Sequence, residues 1–266
     1  MAKFDIAEVE AGIAGTQFAG HMVHLESVGS TNTLALEAAQ TGAKTGVWVA
    51  DEQTAGRGRG GHSWHSIAGD GLYVSALVTP TLSLKLALWI SLATGLAVKE
   101  AVAKTTGVNA DIRWPNDLLA NGKKFGGILV ETAISPGTQQ GDPVLRYAVI
   151  GIGINLNHRS FPEEISKLAT SLYLAGGERV RRESLLASLL LSLERQLDLL
   201  ETDGGSGLPE RFAAASSWVK GKRVRVEEGG GYEGVTSGLD ARGFLQVDDD
   251  DGVRRTVLSG GVRELV

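Results

Sequence analysis

The chain has 266 residues, 42% of them hydrophobic and 21% charged, and its formal net charge is −5. This length and balance predict one large globular domain with a small appended one. A net negative charge argues against general nucleic-acid binding, which needs clustered surplus Lys and Arg, and the absence of cysteine excludes disulfides, thiolate zinc sites and a catalytic thiol. Because the first residues include acidic ones where a signal peptide would be basic and then apolar, we expect a cytoplasmic protein.

In chain order, a short helix or a loose arm over residues 1–21 precedes a first strand at 22–25. Ser30 fits the N-cap of a helix that reaches Gln40, where the apolar residues recur at helical spacing. Short apolar runs predict five further strands, at 47–50, 72–79, 117–120, 127–134 and 147–154.

Two long helices, 84–104 and 182–201, are predicted to cover the sheet that these strands form. The most apolar stretch of the chain, 82–98, is interrupted by Ser, Thr and Lys. It therefore indicates a buried helix rather than a membrane span.

From about residue 217 the chain changes to short alternating segments separated by glycines. Five small strands are predicted at 224–228, 234–240, 244–249, 254–258 and 262–266, a count and length that fit a compact SH3-like barrel. We therefore expect a large domain over 1–216 and a small β domain over 217–266. The four aspartates at 248–251 are interpreted as a solvated hairpin tip, because the ligand spacing of a calcium-binding EF-hand loop is absent.

The strongest local signal is GRGRGG at residues 56–61, which follows a predicted strand. It matches the GxGxxG pattern of dinucleotide-binding folds, but those need a helix to begin here, and the sequence HSWHSIAGDG that follows is not helical. A Walker loop lacks its final Lys-Ser or Lys-Thr pair. An ordinary flexible turn is the remaining alternative. Anion binding is favoured over it, because the glycines let backbone N–H groups approach an anion while Arg57 and Arg59 supply charge.

Two further segments carry polar side chains next to strands. Residues 113–117, RWPND, form a rigid polar turn that is as consistent with a structural role as with a binding site. In KKFGGILVE, at 123–131, a lysine pair precedes two glycines and an apolar strand. Surface lysines are usually only solvated, but glycines in a strand suggest that a ligand approaches the backbone closely, within reach of Lys124.

The remaining candidates are weak when taken alone. Ser30, Thr31 and Asn32 begin a helix, where simple capping is the favoured interpretation. GIGIN, at 151–155, ends a strand with small residues and an amide, which can indicate tight packing alone. His62 and His65 lack a third metal ligand and are interpreted as loop or surface residues.

In this order, STN, QxxGRGRGG, RWPND, KxGGILVE and GIGIN resemble the biotin protein ligase family. The five ordered motifs span residues 30–155, and the rest of the chain also suits that family. The resemblance implies an α/β (α+β) fold, in which a mixed sheet backed by helices, of the class II aminoacyl-tRNA synthetase and biotin ligase kind, is followed by an SH3-like C-terminal barrel. It implies a ligase that activates biotin with ATP and Mg²⁺ as biotinyl-adenylate. The biotinyl group then passes to a lysine of the carrier domain of acetyl-CoA or another acyl-CoA carboxylase, without a covalent enzyme intermediate.

The resemblance also assigns roles to individual residues. Lys124 would contact the biotin carboxylate and the phosphate, and Arg59 would act with it. Residues implied to surround biotin or biotinyl-adenylate are Ser30, Thr31, Asn32, Gln53, Gly56, Arg57, Gly58, Arg59, Lys124, Gly127, Gly153 and Asn155. Asn116 and Asp117 would help to hold the nucleotide, Mg²⁺ or the incoming lysine, and no metal site formed by protein side chains alone is expected.

Two departures from the common family pattern are modest, with Gly60 where many members have a third arginine and Arg113 where many have lysine. Some members carry an N-terminal helix-turn-helix, but only about twenty residues precede the first predicted strand here, so we expect no DNA binding. No membrane binding is expected either, because the most apolar stretch indicates a buried helix. The oligomeric state is left open between a monomer and a weak dimer. The alternatives are a lipoate or octanoate transferase of the same fold, which the paired arginine-glycine loop disfavours, and a non-enzymatic biotin-binding module, which would not need Lys124.

Overall fold

The computed structural model describes residues 4–135 and 142–265. A seven-stranded sheet has the order β1-β2-β3-β7-β6-β5-β4, in which β1 and β2 are parallel and the other neighbours antiparallel. Its strands are β1 (Met22–Val28), β2 (Gly46–Gln53), β3 (Gly71–Val78), β4 (Asp111–Arg113), β5 (Asp117–Ala120), β6 (Lys123–Ile134) and β7 (Leu145–Asn155). The mixed sheet is confirmed, and β4 is a short strand that the sequence patterns did not predict.

Helices cover this sheet, and their packing forms the main hydrophobic core. They are α1 (Ile6–Gly12), α2 (Thr31–Gln40), α3 (Ala87–Thr106), α4 (Glu163–Ser166), α5 (Leu172–Gly176), α6 (Arg182–Asp203) and α7 (Leu208–Ala215). The two long helices α3 and α6 lie close to the predicted ranges, and they pack on each other. Helix α3 ends at Gly107, whose left-handed φ of +70° lets its N–H donate to the Ala103 carbonyl.

Together with the turn before it, α3 is long and apolar enough to cross a membrane by length and composition. Within residues 84–106, 67% of the most apolar window is buried inside the protein. Trp89, Ile90 and Leu92 are among its fully buried side chains. The helix is therefore a core helix of the large domain, as predicted.

The C-terminal strands form a separate five-stranded antiparallel sheet of the SH3-like type, in the order β11-β10-β9-β8-β12. They are β8 (Lys220–Val226), β9 (Tyr232–Leu239), β10 (Leu245–Asp249), β11 (Arg254–Val257) and β12 (Val262–Glu264). The boundary between the two domains, at 216 and 217, stays a prediction. This C-terminal sheet contacts the first sheet's helices and loops, since the Trp89 and Trp114 indoles donate to the Ala241 and Gly243 carbonyls at 3.0 and 2.9 Å.

The four consecutive aspartates lie at the predicted hairpin between β10 and β11, but they are not simply solvated. Asp248 pairs with Arg254 at 2.7 Å and Asp250 with Arg223 at 2.5 Å. The Asp249 side chain is 3% exposed and accepts from the backbone N–H of residues 251 and 253. The prediction of a solvated tip therefore holds for Asp248 and Asp250, whose side chains are 43% and 56% exposed, and was wrong for Asp249, which is buried.

Candidate active site

A pocket over β3, β6 and β7 brings residues from all five sequence motifs together at the N-terminal end of α2. The predicted residues that line it are Ser30, Thr31, Asn32, Gln53, Arg57, Gly58, Arg59, Asn116, Lys124, Gly127 and Gly153. Segments as far apart in sequence as 30 and 153 thus form one cavity, which the sheet topology makes possible by placing β7 between β3 and β6.

The inner end of the pocket is a buried polar network. Gln53 Oε1 accepts from the Thr31 N–H at 2.9 Å and from the Thr31 hydroxyl at 3.1 Å. The Ser75 hydroxyl, which is fully buried on β3, lies 2.8 Å from Thr31 Oγ1 and 2.5 Å from Asn32 Oδ1. Because each group already has a fixed partner, their orientations are set before any ligand enters.

Ser30 occupies the N-cap position of α2, but its side chain makes no capping hydrogen bond. The capping interpretation favoured for this position alone was therefore wrong. Gln53 satisfies the free Thr31 N–H of the helix start in its place, and Ser30, which is 6% exposed, lines the pocket instead.

Three glycines make room for two large side chains in the pocket. A Cβ atom on Gly151 would collide with the Asn32 amide, and one on Gly153 would lie 2.6 Å from the indole of Trp64. A Cβ on Gly127 would lie 3.1 Å from the same ring. The glycines of GIGIN and KxGG therefore allow protein side chains to approach the sheet surface closely, and the approach of a ligand to this backbone stays a prediction.

The sequence interpretation missed Trp64, which lines the pocket, and Ser75, which contacts the pocket residues Thr31 and Asn32 without lining the cavity itself. Trp64 lines the cavity, and its indole N–H is buried without a hydrogen-bond partner among the described residues. The signal for Trp64 was a lone tryptophan in the polar loop after GRGRGG. Ser75 gave no signal, because a serine in an apolar strand has no distinctive pattern.

Lys124 lies at the centre of the site's charges. Its Nζ is 2.5 Å from Asp117 Oδ1 and 5.4 Å from the centre of the Trp64 ring. The other Asp117 oxygen pairs with the Arg113 guanidinium. Burial favours the neutral form of Asp117, but Lys124 and Arg113 outweigh it and lower the pKa of this carboxyl below its ordinary value.

Asp117 was predicted to hold nucleotide, Mg²⁺ or the incoming lysine. Both of its oxygens are instead occupied by cations of the chain, so its contact in this structure is with Lys124 and Arg113. Asn116 does line the pocket, and it exchanges hydrogen bonds with Ile128 of β6 at 2.9 and 3.0 Å. This exchange fixes the RWPND turn against the strand that carries Lys124.

The two neighbouring lysines of β6 have different environments. Lys123 is exposed, and its Nζ is 3.5 Å from the Ser166 carbonyl, whereas Lys124 lines the pocket. The pairing of β6 with β5 shifts in register between Leu118 and Leu119, which leaves Phe125 as an extra residue. This bulge allows Lys124 and Gly127 to face the same cavity although they are three positions apart.

Arg57 and Arg59 lie on the glycine loop, which is a tight turn in which Gly60 and Gly61 have φ values of +69° and +80°. Arg57 pairs with Glu131 at 3.2 Å. The Arg59 guanidinium lies near the C-terminal sheet, 3.4 Å from the position of a Cβ on Gly260. Arg59 is exposed, but the protein atoms next to its guanidinium displace some of the water around it and so lower its pKa, an effect that Asp117 and Glu228 counteract.

Besides Asp117, two of the predicted residues do not line the pocket. Gly56 is buried at the base of the loop, where a Cβ would lie 2.9 Å from the Trp64 carbonyl oxygen. Asn155 ends β7, is 6% exposed and donates to the Thr170 carbonyl at 3.1 Å. Both positions hold the walls of the site together in this structure, and any direct contact with ligand stays a prediction.

Comparison with known proteins connects this pocket to a single family. Residues 25–155 match the Biotin/lipoate A/B protein ligase family, and residues 220–262 match the Biotin protein ligase C terminal domain. The biotin–[acetyl-CoA-carboxylase] ligase of Mycobacterium tuberculosis is 35% identical over 241 residues, which are 88% of this chain and 84% of that protein. The bifunctional ligase/repressor BirA of Bacillus spizizenii is 32% identical over 257 residues, 95% of this chain and 77% of that protein.

The structure of the biotin protein ligase from Aquifex aeolicus in complex with biotin and ATP has a TM-score of 0.77 at 30% identity. The match covers 92% of this chain and 100% of the Aquifex aeolicus chain. The chain belongs to the biotin protein ligase family. The match of residues 220–262 to the Biotin protein ligase C terminal domain disfavours the lipoate transferase alternative.

Proposed function

We propose that this chain activates biotin with ATP as biotinyl-5′-AMP and transfers the biotinyl group to a lysine of a carrier domain of an acyl-CoA carboxylase, of which acetyl-CoA carboxylase is the expected one. The observation that carries the proposal is the convergence of Lys124 and the two arginines of the glycine loop on one pocket with a buried polar inner end. A biotin-binding module would need the inner end but not these cations.

The inner network suits the ureido ring of biotin. Thr31 and Asn32 present a hydroxyl and an amide group that Gln53 and the buried Ser75 already orient, and a ureido group both donates and accepts hydrogen bonds. The Trp64 indole, with its unpartnered N–H, provides a flat apolar surface next to them. Biotin would therefore extend from this network along Trp64, with its carboxylate toward Lys124.

In the first step, a carboxylate oxygen of biotin attacks the α-phosphorus of ATP. A new acyl C–O–P linkage forms, the bond between the α-phosphorus and its bridging oxygen breaks, and pyrophosphate leaves. Lys124 would stabilise the negative charge shared by the carboxylate and phosphate during this attack. Asp117 would hold the Lys124 ammonium in place before substrates bind, since its Oδ1 lies 2.5 Å from Nζ.

In the second step, the neutral amine of the acceptor lysine attacks the acyl carbon of biotinyl-adenylate. The amide bond forms, AMP leaves with the bonding electron pair, and the amine loses its proton to solvent. Until the acceptor arrives the mixed anhydride must be kept from water. Arg57 and Arg59 would close over its phosphate, where their guanidinium groups can donate pairs of hydrogen bonds.

Mg²⁺ is assigned to the phosphates of ATP. Within 4–135 and 142–265, no three His, Asp or Glu side chains come together as a metal site, and the two oxygens of Asp117 are occupied by Lys124 and Arg113. The cation would neutralise the phosphate oxygens and the departing pyrophosphate. A cytoplasmic location, a monomer or weak dimer, and the absence of DNA and membrane binding remain part of the proposal.

The test is to incubate the purified protein with biotin, ATP and Mg²⁺ and to measure pyrophosphate release. Release that depends on biotin, followed by biotin incorporation when a carboxylase carrier domain is added, is the expected result. Octanoate and lipoate in place of biotin are the matched controls and should give no release above background. Equal release with these acids would contradict the assignment to biotin.

A further inference from the structure

Glu131 joins the buried network to the glycine loop, although it does not line the pocket. It lies on β6 with a side chain that is 28% exposed. Its Oε2 accepts from the Asn32 amide at 2.8 Å and lies 3.2 Å from Arg57 Nη2. One carboxylate oxygen therefore contacts both a buried pocket residue and a loop cation.

The contact with Asn32 decides how this amide is turned. Asn32 is 4% exposed, and its Nδ2 faces Glu131 Oε2 and, at 3.4 Å, the Leu129 carbonyl. Its Oδ1 faces the Ser75 hydroxyl at 2.5 Å. The amide nitrogen thus lies among acceptors and the amide oxygen next to a donor. Removing the Glu131 acceptor therefore makes this orientation of the Asn32 amide less favourable relative to the flipped one.

The contact with Arg57 differs in strength. Arg57 is 47% exposed and lies on a loop that contains four glycines among its six residues. Exposed ion pairs of this kind stabilise a conformation only weakly. The pair can therefore bias the loop toward one position in the free protein and still release Arg57 when a stronger anion is present.

We propose that Glu131 is a positioning residue that links the orientation of Asn32 in the pocket to the position of Arg57 in the glycine loop. The inference rests on the proposed function, because it takes the anion that competes for Arg57 to be the phosphate of ATP or of the adenylate. In the free protein Glu131 holds Arg57. When the phosphate arrives, Arg57 transfers to it, and the Glu131 oxygen remains as the acceptor for Asn32.

The two roles can be separated by two substitutions. Glu131→Gln keeps a side-chain oxygen that can accept from Asn32 but removes the negative charge that holds Arg57. Glu131→Ala removes both. A matched control is Glu8→Gln, because Glu8 forms a similar ion pair with Arg181 at 2.5 Å with a side chain 38% exposed, and neither residue lines the pocket.

The first readout is limited trypsin digestion of the ligand-free protein, with cleavage after Arg57 and Arg59 followed by mass spectrometry. Both Glu131 variants should be cut about two- to fivefold faster than wild type, as expected for the loss of one exposed pair. Glu8→Gln should be cut at the wild-type rate. In an Arg57→Ala background, Glu131→Gln should not change cleavage after Arg59 further, because the partner of the carboxylate is gone.

The second readout is the dissociation constant of biotin alone, by calorimetry. Glu131→Gln should stay near wild type, and Glu131→Ala should bind about tenfold more weakly because a buried amide donor loses its acceptor. Two results would overturn the proposal: unchanged cleavage in Glu131→Gln, or equal biotin affinity in Glu131→Ala and wild type. Circular dichroism checks that the variants are folded, and the isosteric Gln variant keeps the test decisive if the Ala variant is not.

Failure of the proposed function would look different. The digestion needs no ligand, so accelerated cleavage in the Glu131 variants of a protein that binds no biotin would refute the biotin assignment and the coupling to the pocket together. Biotin-dependent pyrophosphate release with unchanged cleavage would refute only the role of Glu131.

Discussion

The inner network and the glycine loop are two halves of one pocket that differ in how they are held. Thr31, Asn32 and Ser75 are at most 4% exposed, and each has partners on other elements of the sheet or on α2. The loop, in contrast, is exposed over most of its length, and Arg57 makes one weak ion pair. Buried, fully paired groups can orient a ligand at little cost at the moment of binding, whereas a loose loop must be ordered by what it binds.

The difference suggests a division of work between the two halves. Substitutions around the inner network and Lys124 should lower binding or the rate of adenylation, because those groups act while the ligand is bound and reacting. Substitutions in the loop should mainly shorten the time for which the adenylate is retained. Of the four experiments below, those on Lys124, Ser75 and Arg59 can contradict this division, and the one on Asp117 tests how the charges around Lys124 are held.

The largest effect is expected for Lys124→Ala. Loss of a preorganised cation at the reacting carboxylate and phosphate should slow adenylation about a hundredfold, equivalent to about 3 kcal/mol. Lys123→Ala is the control and should be close to wild type, since Lys123 is exposed and outside the pocket. Pyrophosphate release under saturating biotin and ATP measures both, and wild-type turnover in Lys124→Ala would contradict the assigned role.

Asp117→Asn should lower the free energy of unfolding by about 2 kcal/mol at pH 7, because Lys124 and Arg113 lose their shared counter-charge in a site where Asp117 is 16% exposed. The folded pKa of Asp117 lies below its ordinary value of 3.8. The stability it contributes is therefore complete above about pH 4 and is lost as the pH falls through the folded pKa. Urea unfolding at pH 7 and at low pH measures this change.

In that experiment the difference between wild type and Asp117→Asn should shrink as the pH falls below 3.8. The control is Asp142→Asn, whose pair with Lys85 is exposed on both sides and should contribute little at any pH. A difference for Asp117→Asn that does not depend on pH would show that the lost stability is not due to the charge.

Ser75→Ala should weaken biotin binding about tenfold, since the buried Asn32 amide oxygen loses its donor. The rate of adenylation at saturating biotin should change little. A matched control is Ser188→Ala, which removes a buried hydroxyl of α6 away from the pocket. If Ser75→Ala slowed adenylation at saturation as much as it weakened binding, the inner network would be acting in the reaction itself.

The smallest effect on synthesis is expected for Arg59→Gly. We predict that the glycine loop is mobile in the free enzyme and orders over the adenylate, so this variant should release biotinyl-adenylate severalfold faster while its synthesis changes less. Release is measured by trapping free adenylate. Protease sensitivity of the wild-type loop, with and without a non-hydrolysable adenylate analogue, should fall on addition of the analogue. Equal sensitivity and unchanged release would leave the lid role without support.

Much of this protein could be predicted from its sequence because the relevant signals are local. Hydrophobic periodicity predicted α2, α3, α6 and most strands to within a few residues. This works because an element that buries one face has apolar residues recurring at its own period along the chain. The order of the five motifs indicated the family, and eleven of the fourteen predicted site residues line the pocket, the exceptions being Gly56, Asn155 and Asp117.

Tertiary structure decided what depends on neighbours distant in sequence. The cations on both sides of Asp117, the bulge that turns Lys124 toward Gly127, and the buried Ser75 hydroxyl all depend on strand pairing and register. The contact of Glu131 with both Asn32 and Arg57 joins residues 99 and 74 positions apart. A sequence pattern indicates which side chains a segment exposes or buries. The pairing between segments is fixed only when the sheet assembles, and this pairing determines the hydrogen-bond and ion-pair partners of each polar group.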